Sequence, residues 1–206
     1  MTTKTISGTV TVPAGFVVNA KTLAFVCGSK AQRPSYPFTF DTGNASSFSY
    51  VAPVLTNLLQ MSASAKKGDA SLYTQQFGLA PDASGVSLVL PAPIELALPE
   101  NNALGINPVT AKFSWSLSSL GVNQVSFTPT VQGPLALTIY TSSANVNLPD
   151  LSALGYALPK GVNYKWSANA DSNVPSVNDA LNGVPRNYLK NYSTSSSGER
   201  QFTTAP

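Results

Sequence analysis

The 206-residue sequence has no histidine, one cysteine and only nine carboxylates. Acid–base, nucleophilic and transition-metal catalysis draw mainly on histidine, cysteine or clustered carboxylates. Charged residues make up 10% of the chain, whereas an ordinary soluble domain has about 25%. The composition therefore argues against most enzymes, and we expect no catalytic residues, no metal and no cofactor.

Cationic clusters and long apolar runs are also scarce. Lys66 and Lys67 form the only adjacent cationic pair, so we expect no nucleic-acid partner. No apolar run approaches the roughly 18 residues of a transmembrane helix, and we expect no membrane span in this chain. No hydrophobic signal segment follows Met1, so an exported protein would have a signal that is absent from this sequence.

The single cysteine, Cys27, ends the apolar run 23–27. Free cysteine is among the most buried residue types, so we expect a core position. Activation of its thiolate would need a cationic or histidine neighbour. A lone cysteine forms no internal disulfide, so it does not indicate the cellular compartment.

The chain is rich in residues that suit strands and turns. Ser, Thr and Asn together number 60, and Gly and Pro number 30. Short stretches of Val, Thr, Phe, Tyr and Ser recur between turn residues, which is typical of an antiparallel β-sandwich. We expect strands at 5–13, 22–27, 38–40, 47–51, 58–65, 71–77, 85–90, 94–98, 112–117, 124–130, 135–141, 145–148, 163–170 and 200–204.

Proline density at Pro91-Ala92-Pro93 indicates a domain boundary near residue 92. The fold class is therefore all-β, with two tandem sandwiches at 1–92 and 93–206. The second sandwich carries a long polar insertion near 171–198, with one short helix at Val177 to Leu181. We expect this insertion to be the contact region for partners, and its removal to leave both cores folded.

Four short motifs follow one another in the second half of the chain. They are Leu96-Ala97-Leu98-Pro99-Glu100-Asn101, Phe113-Ser114-Trp115-Ser116, Leu148-Pro149-Asp150-Leu151 and Leu158-Pro159-Lys160-Gly161-Val162-Asn163-Tyr164-Lys165-Trp166. Their order resembles that of fibronectin type III-like modules of bacterial envelope and surface proteins, which share the immunoglobulin-like sandwich. The resemblance implies that Trp115 and Trp166 lie in the core. An adhesive Arg-Gly-Asp tripeptide is absent, so integrin-type recognition is not implied.

The first half contains the predicted strand Ser7-Gly8-Thr9-Val10, the aromatic stretch Phe48 to Pro53, and the segment Met61 to Asp69 with its Gly-Asp hairpin. In these three features it is similar to transthyretin-like, or carboxypeptidase-regulatory-like, modules. Modules of both types usually act as spacers, docking units or adhesion domains, which is what the resemblance implies here.

The best metal candidate is a group of oxygen-bearing side chains in the insertion. Alternating oxygen ligands can surround Ca²⁺, which takes six to eight of them. However, the glycine and bidentate glutamate of an EF-hand loop are absent, and Asx residues are common in turns because they bond their own backbone. Calcium binding and ordinary turn chemistry are the two interpretations of Asn169, Asp171, Asn173 and Asp179.

Catalysis by carboxylates or serine has little support in the sequence. A glycosidase needs two acids at a fixed separation, and neither Glu95 with Glu100 nor the loop residues Asp41, Asp69 and Asp82 stand out as a pair. Serine-based hydrolysis would need a lysine base, and no Ser-x-x-Lys lies at a strand-to-helix turn. An enzyme of an unusual kind is the weakest functional hypothesis.

Loop aromatics are the candidate ligand contacts. Tyr36 lies near Arg33, while Tyr188 and Tyr192 lie near Arg186 and Lys190. Such rings could stack on a sugar, or they could instead hold their loops by burying the ring.

The favoured function is that of a non-enzymatic, extracytoplasmic structural or interaction protein of a bacterial cell surface or envelope. It would act as a spacer, docking or assembly module, with other envelope proteins or its own copies as partners. Segments such as Val86 to Leu90 and Leu135 to Tyr140 carry few of the lysines that protect edge strands, which suits assembly. The alternative is a carbohydrate-binding or adhesion module that contacts polysaccharide through loop aromatics.

Overall fold

Strands account for nearly all of the regular structure. The computed structural model describes residues 2–26, 35–54, 59–156, 158–183 and 190–206. Within these ranges a 3-10 turn spans Ser152–Leu154, and the other elements are β1 Thr3–Thr11, β2 Val17–Val26, β3 Ser35–Asp41, β4 Ser47–Pro53, β5 Leu59–Lys67, β6 Ala70–Leu79, β7 Val86–Val89, β8 Leu96–Leu98, β9 Ala103–Ile106, β10 Phe113–Trp115, β11 Asn123–Pro129, β12 Leu137–Thr141, β13 Asn145–Val146, β14 Asn163–Asp171, α1 Val177–Leu181, β15 Tyr192–Ser196 and β16 Arg200–Thr204.

One large sheet and two small sheets make up the fold. The large sheet has ten strands, eight of them in the order β12-β11-β14-β15-β6-β5-β2-β3, while β16 pairs with β14 and β9 pairs with β16. The small sheets have the orders β4-β1-β7 and β13-β10-β8. The all-β class is therefore confirmed.

The structure has two hydrophobic cores, one formed by residues before residue 92 and the other by residues after it. The first contains Ile6, Leu23, Met61 and Leu88 among others, so the sheet β4-β1-β7 packs against one half of the large sheet. The second core packs the strand β10 against the other half. The separation of the cores agrees with the position of the predicted boundary, but the large sheet continues across it, and two separate tandem domains remain a prediction.

Aromatic rings fill the centre of the second core. Phe113 is fully buried and lies 4.9 Å from Phe127, 5.4 Å from Trp166 and 5.0 Å from Phe202 by ring centroids, in edge-to-face contacts. Such pairs add to the free energy gained from burial alone. Trp115 and Trp166 are 4% and 1% exposed, so their expected core positions are confirmed.

Two features differ from the sequence-based expectation of purely antiparallel sandwiches. β7 pairs with β1 in parallel, and β16 pairs with β9 in parallel. β9 was not expected as a strand because Gly105, at φ +67°, interrupts its apolar pattern. β7 and β12, which lie in the two segments noted for their few lysines, are edge strands, and their role in assembly remains a prediction.

The insertion near 171–198 is not a separate excursion, because its last part forms the interior strand β15. β15 pairs with β6 along residues 192–196 and with β14 along residues 194–196. Its sequence, Tyr-Ser-Thr-Ser-Ser, lacks the apolar alternation that predicts a half-buried strand. Deleting residues 172–197 would remove an interior strand, which argues against the expectation that both cores survive this deletion. The short helix α1 has the predicted bounds.

Hydroxyl groups hold β15 in place where apolar side chains do not. The Ser193 hydroxyl lies 2.9 Å from that of Thr74 on β6. The Ser195 hydroxyl accepts a hydrogen bond from the Ile94 N–H at 3.1 Å, directly after the proline-rich junction. The Thr74–Ser193 contact joins the two halves of the chain through side chains as well as through the backbone.

A buried lysine connects β2 to the turn between β3 and β4. Lys21 is fully buried, and its Nζ donates to the carbonyls of Gly43 at 2.7 Å and Ala45 at 3.0 Å and lies 3.2 Å from Asp41 Oδ2. The Tyr50 hydroxyl on β4 donates to the same Asp41 oxygen at 2.6 Å. Because β3 and β4 belong to different sheets, this network ties the two layers of the first core together.

Two further expectations from the sequence concern membrane crossing and the single cysteine. In the ranges that the structure describes, no helix has the length and apolar character needed to cross a membrane. Cys27 lies outside the described residues, so its expected core position stays a prediction.

The pairing of β15 can be tested with Thr194→Pro. Proline has no N–H to donate, and interior strands do not tolerate it, so we expect the free energy of unfolding to fall by about 2–4 kcal/mol. Thr194→Val keeps the backbone donor and is the matched control. Urea denaturation followed by tryptophan fluorescence measures both variants, and equal stability of the two would contradict the assigned pairing.

The Asp41 network predicts a specific acid sensitivity. Hydrogen bonds from the Tyr50 hydroxyl and the Gly43 N–H, together with Lys21, lower the pKa of Asp41 from 3.8 to about 2. A carboxyl whose pKa is lowered by folding stabilises the protein above its unfolded pKa, and this contribution is lost as the pH falls towards the folded pKa. The free energy of unfolding should therefore fall more steeply between about pH 4 and pH 2 in the parent than in Asp41→Asn. Asp69→Asn, in the β5–β6 turn, is the control, and parallel profiles for the parent and Asp41→Asn would refute the role of Asp41.

Candidate functional site

A cleft of about 530 Å³ lies between α1 and one face of the large sheet. Its walls come from β11, β12, β14, β15 and the segment 174–183. Binding pockets for small molecules commonly have volumes of about 300–1,000 Å³. Among the described residues, the cleft is the best-formed concavity that brings polar side chains from several strands together, so we take it as the candidate site.

Strand register places four cleft side chains in a row. Tyr140 is opposite Gln124, Gln124 is opposite Asn169, and Asn169 is opposite Ser196. Neighbouring strands are about 4.8 Å apart, so the row spans about 14 Å. It presents an aromatic ring, two amides and a hydroxyl on the same face of the sheet.

A second row lies one step along the strands. Asp171 is opposite Thr194, and Thr194 is opposite Tyr73 on β6. The ring of Tyr73 lies 5.4 Å from that of Tyr192, with an angle of 38° between their planes. The polar face thus continues beyond the cleft to a pair of tyrosines.

Local hydrogen bonds hold the loop and helix that cover the cleft. Asp171 Oδ1 accepts from the Asn173 N–H at 2.8 Å, forming an Asx turn directly after β14. Ser176 caps α1 by accepting from the Asp179 N–H at 3.1 Å, and its hydroxyl donates to the Asp179 carboxylate at 2.5 Å. α1 packs against β12, so this short helix has a defined position over the sheet.

The four oxygen-bearing residues of the metal hypothesis do not all meet. Asn169, Asp171 and Asp179 line the cleft, whereas Asn173 is buried outside the lining. The described ranges hold no cluster of three or more His, Cys, Asp or Glu residues that could bind a metal ion. The turn bond at Asp171 agrees with the interpretation as ordinary turn chemistry, and calcium binding remains a prediction.

The predicted ligand contacts are not brought together. Tyr36 lies on the strand β3 rather than in a loop, is 50% exposed and stacks on Phe25 with ring centroids 5.6 Å apart. Tyr192 lies on β15, and β6, β5 and β2 separate the strands of these two tyrosines. The loop placement of both rings is therefore wrong. Arg186 and Tyr188 lie outside the described residues, as does Arg33.

Two of the loop carboxylates considered for catalysis form ion pairs instead. Asp82 Oδ2 lies 2.6 Å from Lys4 Nζ at the surface, and the hydrogen bond from Lys4 lowers the pKa of Asp82. Asp41 belongs to the buried lysine network, and its pKa is lowered as well. A general acid needs a raised pKa rather than a lowered one, so these two carboxylates are not suited to that role.

Sequence reasoning missed Gln124, Tyr140 and Thr194 as cleft residues. Gln124 and Tyr140 lie on strands whose alternating polar positions are typical of a solvent-facing side, whereas β15, which carries Thr194, has no such pattern. Only the order β12-β11-β14-β15 places the three residues on one face. The alternation in β11 and β12 was visible in the sequence, but it contains no information about which strands are neighbours.

The chain was also compared with known proteins. No protein-family model matches this chain, and neither does any curated protein. The resemblances to fibronectin type III-like and transthyretin-like modules therefore remain predictions from the quoted motifs.

Proposed function

We propose that this chain is a non-enzymatic structural and interaction protein of a bacterial cell surface or envelope. It acts as a spacer that holds two β-sandwich cores in a fixed relation and presents faces for docking. The observation that carries the proposal is the pairing of β15 with strands from both halves of the chain. Hydrogen bonds of one sheet therefore run across the junction between the cores.

The junction itself supports a fixed spacing. Pro91 and Pro93 restrict the backbone between the cores. The Ser116 hydroxyl donates to the Pro93 carbonyl at 3.3 Å, and the next residue, Ile94, donates to Ser195 on β15. Both of these contacts lie on the second-half side, and on the first-half side the Leu90 N–H donates to the Thr11 carbonyl at 3.0 Å. A flexible tether would lack such contacts.

One face of the sheet β4-β1-β7 suits docking. Register aligns Thr5 with Val51, Ser7 with Ser49, and Thr9 with both Ser47 and Ser87. These positions are exposed or half-buried, and they present hydroxyls and valine rather than charges. A partner that packs here would not have to remove water from charged groups, which is a major cost of burying a surface.

A fixed spacer can be tested by distance measurements between spin labels. We expect one narrow distance distribution between Ser49→Cys and Thr128→Cys, two exposed positions in different halves, in a Cys27→Ser background. The pair Thr3→Cys and Lys66→Cys within the first half gives the reference width. A distribution between the halves that is several times wider than the reference would contradict the spacer role.

The extracytoplasmic location has a separate test. In intact cells that express the protein natively, a membrane-impermeant amine-reactive biotin reagent should label the exposed Lys66 and Lys67. A cytoplasmic protein from the same cells serves as the control and should be labelled only after lysis. Labelling of this chain only after lysis would exclude the proposed location.

Carbohydrate binding is the second candidate function. It is favoured by the cleft beneath α1, where one tyrosine, two amides and several hydroxyls converge. In this second candidate function the ligand is a polysaccharide, and the face of the sheet contacts it instead of a set of loops.

A further inference from the structure

We propose that the cleft beneath α1 binds a neutral oligosaccharide, with Tyr140, Gln124 and Asn169 as its principal contacts. This inference rests on the carbohydrate-binding candidate and gives it a site different from the loop aromatics. It does not depend on the spacer role, because it concerns the side chains of the cleft and not the pairing across the junction.

The floor of the cleft matches the chemistry of sugar hydroxyls. A hydroxyl both donates and accepts hydrogen bonds, and so do the side-chain amides of Gln124 and Asn169. These residues are directly opposite each other in the β11–β14 register, on strands about 4.8 Å apart. The hydroxyls of Thr194 and Ser196 continue the same surface.

The charge of the cleft favours an uncharged ligand over an anion. No lysine or arginine belongs to the described lining, whereas Asp171 and Asp179 do. Both carboxylates already accept hydrogen bonds within the loop. They would repel a phosphate or uronic acid, but they can accept further hydrogen bonds from sugar hydroxyls.

Tyr140 supplies the apolar contact that distinguishes a sugar from water. It stands at the outer end of the row, on the edge strand β12. Its ring can lie against the C–H face of a pyranose while the amides bond the hydroxyls. An aromatic face beside a few convergent polar groups is the usual composition of a specific small-molecule pocket.

The face beyond the cleft indicates a ligand of more than one sugar unit. Tyr73 lies two strands from Asp171 in the second row, about 10 Å away, and forms the ring pair with Tyr192. The Tyr73 hydroxyl donates to Gln75 at 3.0 Å, which fixes the ring orientation. A chain of several sugars bound in the cleft would reach this pair.

Titration calorimetry with defined probes tests the proposal. The neutral probes are cellohexaose, xylohexaose, maltohexaose and chitohexaose, and the charged probes are hexagalacturonate, spermidine and CaCl₂. We expect at least one neutral hexasaccharide to bind, with its Kd raised at least tenfold by Tyr140→Ala and by Asn169→Ala. Tyr140→Phe should retain most of the affinity, because the ring contact is kept.

Controls separate the cleft from the other sites and from folding. Tyr36→Ala removes an exposed tyrosine outside the cleft and should change the Kd less than twofold. Gln124→Ala replaces Asn169→Ala if the latter has a changed thermal unfolding temperature. The distance distribution between the halves should be the same in the cleft variants as in the parent, so a failed cleft and a failed spacer give different results.

Three results would overturn the proposal. The first is no binding of any neutral hexasaccharide at 5 mM, a probe concentration chosen for the assay. The second is binding that Tyr140→Ala and Asn169→Ala leave unchanged. The third is binding only of hexagalacturonate, spermidine or Ca²⁺.

Discussion

The structure depends on one strand, β15, that is hydrogen-bonded on both sides. It pairs with β6 from the first half and with β14 from the second, and no apolar pattern of its own would place it there. Without this pairing the large sheet would be interrupted between β6 and β14, and a proline-containing segment would be the backbone connection between the two cores. With it, a single sheet runs behind both cores, and each small sheet packs against its own half.

The unusual composition follows from this arrangement. A sheet of ten strands has two long faces, and strand register puts Leu72 of the first core and Ala170 of the second core on the same face. On the opposite face, polar side chains can hydrogen-bond with one another, as in the bond between the Gln60 and Gln75 amides at 2.7 Å. Lys21 is accommodated although it is fully buried, because each of its ammonium hydrogens has an oxygen acceptor nearby.

Local patterns predicted most of the elements, and the reasons for the failures are physical. The bounds of α1 and β16 are those expected, and the Ser176 cap of α1 is a signal local to that segment. The burial of Trp115 and Trp166 was expected from their motifs. β15 was missed because hydrogen bonds from two neighbours, and not its own side chains, make it a strand. The parallel pairing of β1 with β7 was missed because strand direction depends on the path of the chain between them. The cleft was missed for the same reason, since Tyr140, Gln124 and Asn169 are far apart in sequence and meet only through sheet order.

The two proposed functions share the strand β15. A change that breaks this strand affects both functions, whereas a change to a cleft side chain affects only ligand binding. Thr194 and Ser196 of this strand belong to the cleft lining, and the same strand joins the halves. A change that breaks the strand must therefore disturb both the spacing of the cores and the floor of the cleft. A change to Tyr140 or Gln124 removes side-chain atoms from the face of the sheet while their backbone hydrogen bonds remain. Ligand contacts on this face can consequently vary without cost to the arrangement of the cores, whereas the backbone path of β15 cannot.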